Sequence, residues 1–304
     1  MDEPTPRLNE RPSRGRLAAR RVVAFVVLLG VFAGAAWLGA RALAGGDDPP
    51  PPPTTTAAAP ALKTLRIVFP EGFTRRQMAE RAGEVRQIAI AKRKVRPKLG
   101  AAGYLAATKR IVPPKEFRKD VPHGNAEGFL FPALYDFTQK TTAKQLVAKQ
   151  LSAFRSAWGH VGLRRAKVKN LTPYDVLIIA SMVERETIAP AERRLVAAVI
   201  WNRLKARMPL GIDATIRYGL DVPGTEPLRR SQLESDNPYN TRNRPGLPPT
   251  PIANPGLASM KAAANPAPVD YLFFVRKPDK VHHFFTASEA EFYAKACEYG
   301  FGCR

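Results

Sequence analysis

The stretch LTPYDVLIIASMVERET, residues 171–187, decides the reading of this chain. Thr172 followed by Pro173 is an N-cap with proline at the first helical position, and Asp175 falls in the first turn. A helix from here runs through VLIIASMVERE and stops before Pro190. Its apolar stripe contains Ile179, Met182 and Val183, and the next position at that spacing is Glu186. Glu184 falls on a different face, with Leu177, Ala180 and Ser181. A carboxyl standing where periodicity calls for an apolar residue faces inward or into a cleft. Burial disfavours its charged form and raises its pKa, which suits a general acid. The competing reading is a buried structural glutamate paired with an arginine.

Working outward, Leu65, Ile67 and Phe69 alternate as a strand, Pro70-Glu71-Gly72 forms a turn, and Thr74 caps a helix through Arg81. A second, basic helical stretch is expected at Ala89 to Lys94. NAEGFLFPALYDF, residues 125–137, reads as a packed loop or short strand, and Thr142 to Trp158 as a helix. Beyond the 171–187 stretch, a helix covers Arg193 to Arg207. The proline- and glycine-rich segment DNPYNTRNRPGLPPTPIANPG follows, a long loop of the kind that usually serves function. Leu257 to Asn265 reads as helix, Tyr271 to Val275 and His283 to Phe285 as strands, and Ser288 opens a last helix. The class is α+β.

The N-terminus sets the compartment. Val22 to Ala40 carries no charge and is long enough to cross a hydrocarbon core of roughly 30 Å. Six arginines between Arg7 and Arg21 precede it and place the N-terminus in the cytoplasm. A transmembrane helix is therefore expected at 22–43 after a basic tail at 1–21; a cleavable signal peptide is the alternative. The proline run of residues 44–62 reads as an extended stalk. The formal charge is +22. On an exported chain it favours an anionic envelope over nucleic acid. Export also makes a disulfide between Cys297 and Cys303, the only cysteines, plausible. Two thiols without a nearby histidine do not complete a metal site.

Several segments, in order, resemble the MltG/YceG-like endolytic murein transglycosylases. They are VFPEGFTRRQMAE (68–80), EGFLFPALY (127–135), the 171–187 stretch and VAAVIWNRL (196–204). LGIDATIRYGL (210–220), PYNTRNRPGLPPTPIANPGLASMKAAANPA (238–267) and YLFFV with HHFF (271–275 and 282–285) complete the set. The resemblance implies a shortened LysM-like α/β subdomain at 63–120 and a catalytic domain at 121–304 with long Pro/Gly-rich loops. It implies that Glu186, followed by Thr187, is the catalytic acid, with Glu184 as the fallback. It implies cleavage between N-acetylmuramic acid and N-acetylglucosamine to leave 1,6-anhydro ends, without metal or cofactor. Glu127, Asn202, Asp213, Tyr239, Asn240 and Thr241 are its candidate substrate contacts. For each, a structural role is an open alternative, and Asp213 is the nearest candidate for a second acid. His283 is read as a satisfied histidine. The implied partners are peptidoglycan strands, the cytoplasmic membrane and peptidoglycan synthases; a non-catalytic wall-binding scaffold is the other reading. Three departures stand out: Ala133-Leu134 where the family has Asp-Thr, Phe292 where it has histidine, and the shortened LysM-like region.

Overall fold

The computed structural model describes residues 63–121 and 124–303. The expected membrane helix and stalk lie outside the described residues, among which no helix is long and apolar enough to cross a membrane.

The chain first forms β1 (Leu65–Val68), α1 (Arg75–Arg93) and α2 (Ala101–Ala107), then a 3-10 turn at Lys115–Phe117 and β2 (Leu134–Phe137). Five helices follow: α3 (Ala143–Trp158), α4 (Arg164–Val168), α5 (Pro173–Glu186), α6 (Arg193–Lys205) and α7 (Asp213–Leu220). After α8 (Arg230–Leu233) and α9 (Leu257–Ala264), a hairpin of β3 (Phe273–Arg276) and β4 (His283–Thr286) leads into α10 (Glu289–Glu298). The result is a mixed helical domain with two small antiparallel sheets, β1–β2 and β3–β4.

The central element is α5. Thr172 and Asp175 form a capping box, with Asp175 N–H donating to Thr172 Oγ1 at 3.1 Å and Thr172 N–H to Asp175 Oδ2 at 2.8 Å. Such a cap contributes about 1 kcal/mol. Every residue from Tyr174 to Val183 except Asp175 is buried, so α5 is a core rod, apolar on all sides, and not a surface helix with one apolar stripe. This corrects the stripe argument: Leu177, Ala180 and Ser181, on the face assigned to Glu184, are as buried as Ile179 and Met182. Helices α6 and α9 pack against α5. Ser181 Oγ donates to Ile178 O at 2.7 Å and accepts from Ile252 N–H at 3.0 Å, which ties the proline-rich loop to the rod.

Residues 75–93 form one helix where two were expected. Thr74 caps it, and Lys94 closes it in the left-handed conformation. β1 pairs with β2 in the register Leu65↔Phe137, with Ile67 and Tyr135 buried. The expected boundary at residue 120 does not separate two cores: Ile67, Phe69 and Met78 share a single apolar cluster with Phe129, Ile179 and Met260. Phe117 meets Phe129 and Trp158 at ring separations of 5.1 and 4.9 Å, which anchors the aromatic loop. Gly128, at φ +89°, lets that loop pass against Pro251.

A two-lobed candidate active-site cleft

The last turn of α5 leaves the core carrying Glu184, Arg185 and Glu186, and the two glutamates have different surroundings. The Glu184 side chain is only 7% exposed. Its Oε2 accepts the backbone N–H of Gly256, the N-cap of α9, at 2.9 Å, and Oε1 lies 4.0 Å from Arg193. Glu184 is thereby a helix-terminus anchor. The neighbouring Glu71 carboxyl is raised by burial and then by the charge of Glu184, with Arg193 opposing.

Glu186 instead opens into a cleft of about 890 Å³. Asp213, Arg217, Arg242, Arg276, His283 and Phe301 are among its other lining residues. Burial pushes the Glu186 carboxyl up; Arg276 opposes, Asp213 adds to the rise, and the Ala214 N–H and Arg185 oppose. Ala214 sits in the first turn of α7, so the carboxyl is seated on a helix N-terminus. The hydroxyl of Thr187 is buried without a protein hydrogen-bond partner.

A second cleft of about 640 Å³ shares Arg185, Ala214, Arg217 and Gly224 with the first, so the two form one trough. Glu127 and Tyr239 line this second lobe. Glu127 is fully buried and accepts from Arg75 N–H at 3.0 Å, Asn254 Nδ2 at 2.9 Å and Tyr218 Oη at 3.2 Å. Burial lifts its carboxyl to about 7 against those hydrogen bonds. Tyr239 donates to or accepts from Thr250 Oγ1 at 2.8 Å and meets Tyr218 edge-on at 5.1 Å.

Other candidates lie elsewhere or are committed. Asp213 lines the first lobe but is bound by Arg242 Nε and Nη2 at 2.9 and 2.6 Å. Asn202 lines neither lobe and gives its amide to the carbonyls of Val269 and Tyr271, both at 2.9 Å. Asn240 is buried, donating to Leu233 O and Ser235 O at 2.9 and 2.8 Å. Thr241 Oγ1 accepts from Ile212 N–H at 3.1 Å and meets Thr215 Oγ1 at 2.9 Å. Both lock the turn from inside. His283, read as satisfied, holds Glu192 at 2.8 Å through Nδ1 while lining the first lobe.

Sequence reasoning missed Arg276, Arg217, Arg242 and Phe301. Arg276 follows the YLFFV strand and stands opposite His283 in the hairpin register, which brings both to one face. It also missed Asn254, whose amide joins Phe73 O and Glu127 Oε1 while its Oδ1 accepts from Leu130 N–H at 2.9 Å.

The chain matches the YceG-like family over residues 53–298. It is 36% identical over 161 residues to an endolytic murein transglycosylase of Bacillus subtilis, covering 53% of this chain and 44% of that one. It is 30% identical over 230 residues to an endolytic murein transglycosylase of Streptococcus pneumoniae, covering 71% of this chain and 41% of that one. It thus spans less than half the length of either relative. The crystal structure of a yceG-like protein from Listeria monocytogenes superimposes with a TM-score of 0.59 at 29% identity, covering 77% of this chain and 75% of that one. With the family match covering most of its length, the chain belongs to the YceG-like family.

Proposed function

We propose that this chain is an endolytic lytic transglycosylase of peptidoglycan, anchored in the cytoplasmic membrane and acting outside it. The observation that carries the reading is Glu186: a carboxyl raised by burial, seated on the N-terminus of α7, at the wall of an open trough. A raised pKa favours the protonated form, the form a general acid requires.

In the reaction, the Glu186 proton passes to the oxygen joining N-acetylmuramic acid to N-acetylglucosamine, and the bond from that oxygen to the anomeric carbon breaks. The muramoyl 6-hydroxyl oxygen then bonds to the same carbon, and its proton returns to Glu186. No water is consumed. A hydrolase would want a second free carboxylate flanking the bond. Asp213, the nearest acid, is instead held by two nitrogens of Arg242. The trough continues past Glu186 into the second lobe, which suits cutting within a strand. Arg185, Arg217, Arg242 and Arg276 suit the carboxylates of muramoyl stems.

The N-terminal sequence supports a cytoplasmic tail at 1–21, a membrane helix at 22–43 and a stalk at 44–62; the LysM-like part at 63–120 and the catalytic part at 121–304 rest on the resemblance and share one core. Such an anchor would hold the enzyme beside peptidoglycan synthases, where it could end nascent strands. The test is mass spectrometry of muropeptides released from purified wall. Anhydro-muramoyl ends that disappear in Glu186→Gln are expected. Reducing ends would indicate a hydrolase, and no cleavage a wall-binding scaffold.

A further inference from the structure

We propose that Phe301 is a sugar-stacking platform on the rim of the Glu186 lobe, taking the apolar face of a pyranose ring of the glycan strand. The inference rests on the glycan-cutting reading and adds a subsite to it.

Three observations converge on this ring. Phe301 is 61% exposed, the one aromatic among the exposed large hydrophobic residues of the described chain. It lines the same lobe as Glu186, together with Gly302 and Cys303. Its backbone is held from two sides. Helix α10 ends in a double cap, with Gly300 N–H donating to Cys297 O at 3.1 Å and Phe301 N–H to Ala296 O at 2.8 Å. Gly300 takes the left-handed φ of +83° that this cap needs. The disulfide between Cys297 and Cys303 then ties the far side of the loop back to the helix, with the Cα atoms 4.5 Å apart.

The arrangement is that of a fixed display. A C-terminal cap of this kind normally turns the residue after its glycine inward, onto the last helical turn. Here that residue is a phenyl ring left in water, where its hydration is unfavourable. Gly300 and Gly302 place no side chain beside it and have open space around their Cα positions. A pyranose chair carries axial C–H bonds on one face, and these are attracted to the negative face of an aromatic ring. A ring whose backbone is already fixed loses little entropy on binding. Residues 299–304, Phe301 among them, lie beyond the 53–298 segment matched to the family.

The test uses the full chain and soluble, peptide-free oligosaccharides of alternating N-acetylglucosamine and N-acetylmuramic acid. Affinity is measured by calorimetry on Glu186→Gln, so that turnover does not intervene, and on Glu186→Gln combined with Phe301→Ala or Phe301→Trp. The alanine variant is expected to weaken binding about fivefold, with the tryptophan variant within about twofold of the parent. Because the ring is exposed, the fold should survive its removal, and a thermal melt of each variant checks this. Equal affinity for the parent and alanine variants overturns the platform, as does an absence of binding by the parent. If the unsubstituted protein leaves strands uncut while Phe301→Ala still weakens binding, the transglycosylase reading falls and the platform stands.

Discussion

The backbone N–H of Ala214 acts on the carboxyl of Glu186 and favours its charged form, bringing the last residue of α5 to the first turn of α7. This contact separates the two glutamates of the ERE sequence. Glu186 meets a helix end at an open trough, whereas Glu184 meets the Gly256 N–H beneath the surface. Glu186→Gln should lower turnover by about 10²–10⁴-fold with the melting temperature little changed. Glu184→Gln should instead cost about 1–3 kcal/mol of stability while the folded protein keeps cutting. Glycan cleavage and thermal melts on both variants check this; the reverse pattern would move the acid to Glu184.

Charges around Glu186 should set the alkaline limb of the pH–rate profile, because the acid works only while protonated. Arg276 favours the carboxylate and Asp213 disfavours it. Arg276→Ala should therefore move the limb to higher pH, and Asp213→Asn should move it to lower pH. The profile of kcat/KM reports both. Were Asp213 a second acid, its amide would abolish cleavage instead of shifting the limb.

Glu127 makes stability depend on pH. Its carboxyl titrates at about 7 in the fold and near 4.5 in the unfolded chain. Between those values the folded state holds the proton more tightly. The favourable contribution is complete below about pH 4.5 and is lost as pH rises through about 7. The full loss is about 3 kcal/mol. Urea unfolding of wild type and Glu127→Gln across pH 4–8 should show a difference that changes through this window; parallel curves would reject the assignment.

Gly128→Ala should be severely destabilising. A Cβ there would lie 2.7 Å from Pro251 Cγ, and the φ of +89° strains any L side chain. A cost of about 2–4 kcal/mol follows from overpacking and backbone strain together. Chemical denaturation measures it, and a loss below 1 kcal/mol would mean that the loop yields.

Thr187→Val removes a buried hydroxyl that has no protein partner while keeping a shape suited to the extended backbone at this position. Stability should rise by about 1 kcal/mol. Cleavage measured on the same variant shows whether the hydroxyl serves the chemistry: unchanged turnover assigns it to neither binding nor catalysis.

Local pattern was enough for the strands and for the capped starts of several helices, though not for the single helix at 75–93 or for α7. Thr142 and Thr172 cap their helices through side chains three residues from their partners, a relationship contained in one turn. The order of motifs placed the chain near its family, and two cysteines alone in a chain read as exported pointed to the pair that the structure joins. The helical stripe could not carry as much as was asked of it. On a rod buried all round, spacing no longer tells which carboxyl opens to a cleft.

Tertiary structure decided the rest, because the trough is assembled from segments far apart in the chain. Arg276 comes from a hairpin and Phe301 from a cap at the other end of α10, while Ala214 comes from a helix that the loop-like sequence concealed. Asn202, Asn240 and Thr241 looked like substrate groups as residue types. In the fold they bond to the main chain, Asn202 and Asn240 through their amides and Thr241 through its hydroxyl, a demand that only the folded chain creates. Side-chain caps and apolar runs follow from neighbours within a few residues, so sequence alone determined those of α3 and α5. The surroundings of each polar side chain follow from packing across the whole core.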